Sequence, residues 1–219
     1  MHIDPLALTP QERYKLLVGA VVPRPIGFVS TRSPEGVDNL APFSFFNGVS
    51  SNPLSLLFCP TTTPGGGDKD TLRNIEQTSQ FVVNIVSESI ARRMAICAED
   101  YPPDVSEFER SGLTPAVCEK IRPPRVAESP FSFECELIQI VRLEPDDANA
   151  PGSGNIVIGR VVWIHAADGV VDERHRVDPA RLAAVGRMAG LTYCTTRGRF
   201  ELPWGEDAVS APEPDFDSL

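Results

Sequence analysis

The chain has 219 residues, a formal net charge of -10 and a sequence pI near 4.8. Its hydrophobic share of 42% and charged share of 23% are those of a globular protein with one substantial core. A surface this acidic argues against general binding to nucleic acid or to anionic membranes, while leaving room for an anionic ligand in a locally positive site. Part of the negative charge gathers at the end of the chain, in Glu201, Glu206, Asp207, Glu213, Asp215 and Asp217.

The cysteines are Cys59, Cys97, Cys118, Cys135 and Cys194, an odd number with no Cys-x-x-Cys pair. That pattern fits neither a disulfide framework nor a zinc ribbon, and it points to the reducing cytoplasm. The segment Met1–Pro5 has no basic start and no apolar stretch, so it does not read as a signal peptide. No apolar run is long enough to span a bilayer.

In chain order, Thr9-Pro10-Gln11-Glu12 opens a short helix: Thr9 caps, Pro10 suits the first position and Glu12 completes a capping box. Ile26–Thr31 is β-rich, Ser33-Pro34-Glu35-Gly36 is a turn, and Val37 onward returns as the paired strand. A loop dense in Ser, Asn and Phe follows, and Leu54–Cys59 is the next strand. After a Gly65-Gly66-Gly67 loop, Lys69–Glu76 reads as a helix with Asp70 as N-cap and Leu72 and Ile75 on its apolar stripe. Phe81–Val86 is a strand. Ser87 or Ser89 then caps a helix carrying Ile90, Met94 and Cys97.

Tyr101–Pro130 holds six prolines and no sustained period, so it reads as an irregular and functional loop. Phe131–Leu143 is the cleanest strand. Phe131, Phe133, Cys135, Leu137, Val141 and Leu143 take one face, with Gln139 as an interruption, and Ser132, Glu134, Glu136 and Arg142 take the other. Residues 144–154 form a polar loop and Asn155–His165 a further apolar strand. Asp178-Pro179 starts a helix that Gly190 would end. Residues 1–204 read as one domain, and 205–219 as an acidic, flexible tail. Many strands with few helices point to a barrel or a sandwich, and periodicity does not choose between them.

Two stretches carry chemistry. The first is Pro23–Pro53, which contains Arg24-Pro25-Ile26-Gly27, Asn39-Leu40-Ala41-Pro42-Phe43-Ser44-Phe45-Phe46 and Ser50-Ser51-Asn52-Pro53. It sets flat aromatic faces beside neutral hydrogen-bonding groups, which suits a planar ligand with a polar edge. Backbone groups of Asn39 and Ala41, with the Ser44 hydroxyl, match alternating donors and acceptors, and small Ala41 permits close approach. The second is Lys69-Asp70-Thr71, where a helix start offers free amides, a hydroxyl and a point charge to an anion. Alone it reads as an ordinary helix cap, just as Asn39–Ser44 alone reads as a bulge and turn.

Together these stretches resemble the flavin reductase-like family, and the likeness runs from about Pro5 to Leu202. It implies a mainly β fold with flanking helices, an FMN-binding split β-barrel. It implies FMN as cofactor, NADH or NADPH as hydride donor, a homodimer, and electrons passed to an acceptor or a partner monooxygenase component. By the same likeness Asn39, Ala41, Pro42, Phe43 and Ser44 meet the ring, and Lys69, Asp70 and Thr71 the phosphate end. Ser30 and Thr31 lie near the ribityl chain, Ser50 and Ser51 near the flavin, Arg24 at the entrance and Arg187 beside the ligand area. Asp70 serves there as a cap, since a carboxylate would repel phosphate. The irregular segment Tyr101–Pro130 is expected to cover the flavin face and to select the second substrate, as irregular loops over scaffolds often do. A non-enzymatic FMN carrier is the alternative, and a barrel for another planar cofactor such as haem is a third reading.

His165 ends a strand and His175 lies in a charged loop, in no recognisable triad. No catalytic side chain and no metal site are expected, since hydride chemistry belongs to the cofactor.

Overall fold

The computed structural model describes residues 1–63, 66–146 and 154–216. Gly65, most of the expected polar loop at 144–154 and the final residues 217–219 lie outside the described residues.

Helix α1, Pro10–Ala20, starts on the expected capping box: the Glu12 amide donates to Thr9 Oγ1 at 3.3 Å and the Thr9 amide to the Glu12 carboxylate at 2.8 Å. Strand β1 (Gly27–Arg32) turns at Ser33–Gly36 into β2 (Asp38–Phe43). The turn closes where the Gly36 amide donates to the Ser33 carbonyl at 3.0 Å, and Gly36 takes φ +95°, where a side chain would be strained. Then come β3 (Phe46–Ser51), β4 (Leu54–Phe58), α2 (Asp70–Thr78) and β5 (Gln80–Ile85). Two short helices follow, α3 (Ala91–Ile96) and α4 (Glu107–Ser111), with two short strands, β6 (Pro115–Ala116) and β7 (Arg125–Val126). The long strands β8 (Phe131–Arg142) and β9 (Asn155–Ala166) precede α5 (Pro179–Leu182), β10 (Val185–Arg187), β11 (Tyr193–Thr195) and α6 (Glu206–Val209).

Among the described residues, seven strands form one sheet in the order β2-β1-β5-β8-β9-β4-β3, with antiparallel neighbours throughout. The edge strands β2 and β3 are joined by Ser44 and Phe45 alone. Three residue steps span about 11 Å at most, so the sheet must curl until its edges meet. The result is an open, split barrel.

Inside it pack Val29, Phe43, Leu56, Phe58, Phe81, Val83, Cys135 and Val157, with Leu72 and Ile75 of α2. Phe43, Phe58 and Phe81 pack in succession, the first pair tilted and the second edge-on, with centroids 4.9 and 5.5 Å apart. Gly159 makes this possible, because a Cβ there would fall 2.3 Å from Phe81 Cζ. A second cluster covers the other face of β1 and β2. It joins Phe28 and Leu40 to Ile90, Met94, Cys97, Phe108, Leu113 and Val126. Alternate residues of β1 thus enter different cores, and the expected stripe of Ile90, Met94 and Cys97 belongs to the outer one.

Several expectations are corrected. The loop after β2 contains a strand, β3, which pairs with β4. Lys69 holds the N-cap position of α2, and Asp70 is the first helical residue, paired with Arg73. Ser87 and Ser89 bond to each other at 2.8 Å, and Ile90 takes the N-cap of α3. The Asp178 helix is one turn long and ends at Ala183, which has φ +43°, so Arg187 lies on a strand and not at a helix end. Tyr101–Pro130 is largely a packed layer, since Phe108, Leu113 and Val126 are core residues.

The clean alternation of β8 also fails. Bulges fall between Glu134 and Cys135 and between Leu137 and Gln139; the first has its extra residue, Val162, on β9, and the second has Ile138 on β8 and shifts the pleat of β8. Beyond the second bulge Ile140, and not Val141, packs on the core. Ser132 and Glu134 are fully buried because the 113–126 layer covers their face. Helix α6 is exposed, and Phe216 packs edge-on against Phe200 at 5.1 Å. Among the described residues no helix is long and apolar enough to cross a membrane.

Candidate functional site

A cleft of about 1040 Å³ opens where β2, the Ser44–Phe45 link, the start of α2, the start of α1 and the residues around α3 and α4 converge. One wall is Asn39, Ala41, Pro42, Phe43, Ser44 and Phe45. The opposite end is Asp68, Lys69, Asp70, Thr71 and Arg73. Residues 32 and 43 positions apart in the chain are brought together by hydrogen bonds between buried side chains. Asn39 Nδ2 donates to Thr71 Oγ1 at 2.9 Å, and Asn74 Nδ2 donates to Thr31 Oγ1 at 3.0 Å. The β1–β2 hairpin and α2 are therefore held as one rigid unit.

At the α2 end, a nine-residue helix starts at Asp70; the Leu72 and Arg73 amides donate to the Lys69 carbonyl at 3.0 and 3.1 Å, which leaves the Asp70 and Thr71 amides as the ones without an intrahelical acceptor. Two cations stand beside them, each held by a carboxylate. Lys69 Nζ meets Asp100 at 2.9 Å across the cleft, and Arg73 binds Asp70 and the Asp68 carbonyl. Both cations are partly exposed, so an incoming anion competes only with weak surface pairs.

The far side carries residues that sequence patterns did not reveal: Tyr14 from α1, Tyr101 and Pro103, and Glu107 from α4. Glu107 is buried, and its Oε2 accepts the Leu40 amide at 2.9 Å. Burial raises its pKa, opposed by that amide and by its own backbone. The signal for this residue was weak, one acid before Phe108 in an aperiodic stretch. Cys59 and Cys97 also line the cleft, with thiols raised by burial, Cys97 to about 11. Neither is a thiolate at neutral pH.

Of the residues expected at the site, Asn39, Ala41, Pro42, Phe43, Ser44, Lys69, Asp70 and Thr71 line this cleft. The others lie elsewhere. Ser30 is fully buried and donates to the Pro124 carbonyl, and Thr31 is buried on Asn74. Ser50 and Ser51 lie on the edge hairpin, opposite Ser55 and Leu54. Arg24 is not an exposed arginine. It is 5% exposed and donates to the carbonyls of Val18, Val21 and Met188, clamping the end of α1 to the chain beyond β10. Its Nε reaches Ser44 Oγ at 3.4 Å, an indirect link to the cleft. Arg187 donates to Tyr193 Oη and the Gly190 carbonyl, with its guanidinium 4.5 Å from the Tyr193 ring centre.

The comparisons with known proteins agree with this geometry. The family model for a flavin reductase like domain matches residues 18–199. Nitrilotriacetate monooxygenase component B of Bacillus cereus is 36% identical, with a TM-score of 0.87 over 92% of this chain and 98% of that one. The 2-nitrobenzoate 2-nitroreductase of Pseudomonas fluorescens is 32% identical, with a TM-score of 0.82 over 97% and 99%. A Shewanella frigidimarina protein with a split barrel domain, 24% identical with a TM-score of 0.78 over 94% and 100%, carries the likeness of fold alone. With its cleft set between the two stretches that the sequence singled out, the chain belongs to the flavin reductase-like family.

Proposed function

We propose that the chain is an FMN-dependent flavin reductase that takes hydride from NADH or NADPH. Family membership already makes it a flavin-related oxidoreductase. The observation that carries the finer reading is the Asn39–Thr71 hydrogen bond. It holds a wall with polar edges and an anion-binding helix start on one cleft. The residues present fit FMN. The cleft has the size of a cofactor site, Ala41 keeps one wall low, and a phosphate would find Lys69 and the α2 amides together.

Bound there, the flavin supplies the hydride-accepting centre. The protein's work is to bind and orient. Lys69, Thr71 and the α2 amides would hold the phosphate. The backbone polar groups of Asn39–Ser44 would fix the ring edge and offset charge that develops there. Tyr14, Tyr101 and Pro103 stand where a nicotinamide could be screened from water. This sets the role of the 101–130 segment more narrowly than a cover, since its cleft-lining residues end at Glu107. No side-chain acid or base is needed.

Two acceptors suit the relatives: a partner monooxygenase, as for the Bacillus cereus protein, and an organic nitro compound, as for the Pseudomonas fluorescens one. We favour the first, on the higher identity. Exposed Leu54, Ile138, Trp163 and Ile164 leave apolar surface on the sheet for a second copy, in keeping with a homodimer. The five free cysteines fit a cytoplasmic address.

The test is the absorption spectrum of the purified chain with FMN, followed under anaerobic NADH and then NADPH. Bleaching by either supports the reading. A chain that binds no FMN refutes the site, and a yellow chain that neither nicotinamide bleaches supports the carrier.

A further inference from the structure

Behind the barrel, away from the cleft, a second set of chemistry-bearing side chains meets. Cys118 comes from the β6–β7 connection, Glu134 from β8 and His165 from β9. Their Sγ, carboxylate oxygen and ring nitrogen all lie within 4.8 Å of one another. Among the described residues this is the one group of three or more such donors so placed. None of the three lines the cleft. We propose that Cys118, Glu134 and His165 form a zinc site, with water in the fourth position.

The donor set is a thiol, an imidazole and a carboxylate, the mixture that a borderline-soft Zn²⁺ accepts. Tetrahedral zinc with bonds of about 2.0–2.3 Å sets its ligands about 3.3–3.8 Å apart. Here His165 Nε2 and Glu134 Oε1 stand 2.6 Å apart as a hydrogen-bonded pair, and all three donor atoms lie within 4.8 Å of one another. Small side-chain rotations would bring them into that range.

The supporting shell is already built. The amides of Glu119 and Lys120 each donate to a different Glu134 oxygen at 2.7 Å, which fixes the carboxylate plane. A carboxylate and a thiolate neutralise the ion. Glu134 is wholly buried and ion-paired only with His165 among the described residues, so no lysine or arginine occupies its charge. The nearby cations are engaged elsewhere or turned aside: Arg32 on Asp38, and Lys120 Nζ over the Trp163 ring at 5.1 Å. His165 and Cys118 are part-exposed, which gives the ion a way in.

Such a site would pin the 113–126 layer to the β8–β9 hairpin. The full chain, stripped with chelator, is titrated with Co²⁺ and then Zn²⁺. One equivalent of Co²⁺ should give tetrahedral visible bands and a near-ultraviolet thiolate-to-cobalt band, which Zn²⁺ abolishes. Cys118→Ser should lose the thiolate band and weaken Zn²⁺ binding at least about tenfold, while Cys194→Ser retains both. Should Cys118→Ser misfold by circular dichroism, the part-exposed His165→Gln decides, with the same expected tenfold loss. No stoichiometric cobalt bands, or a thiolate band that survives Cys118→Ser, would overturn the site and leave a hydrogen-bonded cluster only.

Discussion

Replacing Lys69 by methionine removes one cation from the α2 end of the cleft and keeps most of the side-chain bulk. A charge-assisted hydrogen bond to phosphate is worth about 1.5–3 kcal/mol. Against this stands the Asp100 pair that Lys69 must surrender. With the two side chains 30% and 66% exposed, that pair is worth about 0–1 kcal/mol. The net loss is about 0.5–3 kcal/mol, or about 2- to 150-fold in the FMN dissociation constant. Riboflavin has the same ring and no phosphate, so its affinity should be unchanged. Fluorescence quenching titrations with both ligands at low and high salt give the answer. The FMN loss should shrink as salt screens the charge. An equal loss for riboflavin, or none for FMN, would show that the anion end is not at Lys69. The companion change Asp100→Asn should tighten FMN by up to about fivefold, because it releases Lys69 from its pair.

Asn39→Ala removes the bond to Thr71 and should cost about 1–3 kcal/mol of stability in urea unfolding, with faster flavin release. An unchanged urea midpoint would mean that the hairpin and α2 are not locked through that bond. Gly159→Ala should cost about 1–3 kcal/mol, because its methyl would strike the buried Phe81 ring, and Phe81→Leu should recover part of the loss. Equal stability of Gly159→Ala and the parent would refute that packing argument. For Glu107 the folded carboxyl binds its proton more tightly than the unfolded one, because burial raises its pKa. Its contribution is therefore full at low pH and lost as pH rises from the ordinary carboxylate range through the raised value. Glu107→Gln should flatten that decline when unfolding is followed across pH, and an unaltered slope would count against it.

Local signals in the sequence carried as far as local physics reaches. Thr9, Pro10 and Glu12 specify a helix start through contacts within three residues, and they form it. Ser33–Gly36 specifies its turn in the same way. Lys69–Thr71 and Asn39–Ser44 could each be singled out by chemistry, and the fold sets them in one cleft. What was hidden depends on partners distant in the chain. Glu134 looks like a solvent-facing residue of an alternating strand until residues 119 and 120 fold over it. A bulge at Ile138 reverses the pleat of β8 beyond Leu137, and no residue there announces it. Arg24 between two prolines resembles an exposed cation, yet the carbonyls that consume its guanidinium come from α1 and from Met188. Ser30 and Thr31 have hydroxyls suited to a ligand, and the interior takes them first.

The two-residue link between the first and last strands of the sheet has a mechanical consequence. The seam of the barrel is not a passive gap, because Ser44 and Phe45 bridge it and also form part of the cleft wall. Any swelling of the barrel must pull on the surface that a ligand would touch. A molecule seated against that wall acts as a rivet across the seam. It would quiet β2 and β3 together, although those strands share no ladder. In this fold, cofactor occupancy and the tightness of the whole cylinder become one variable.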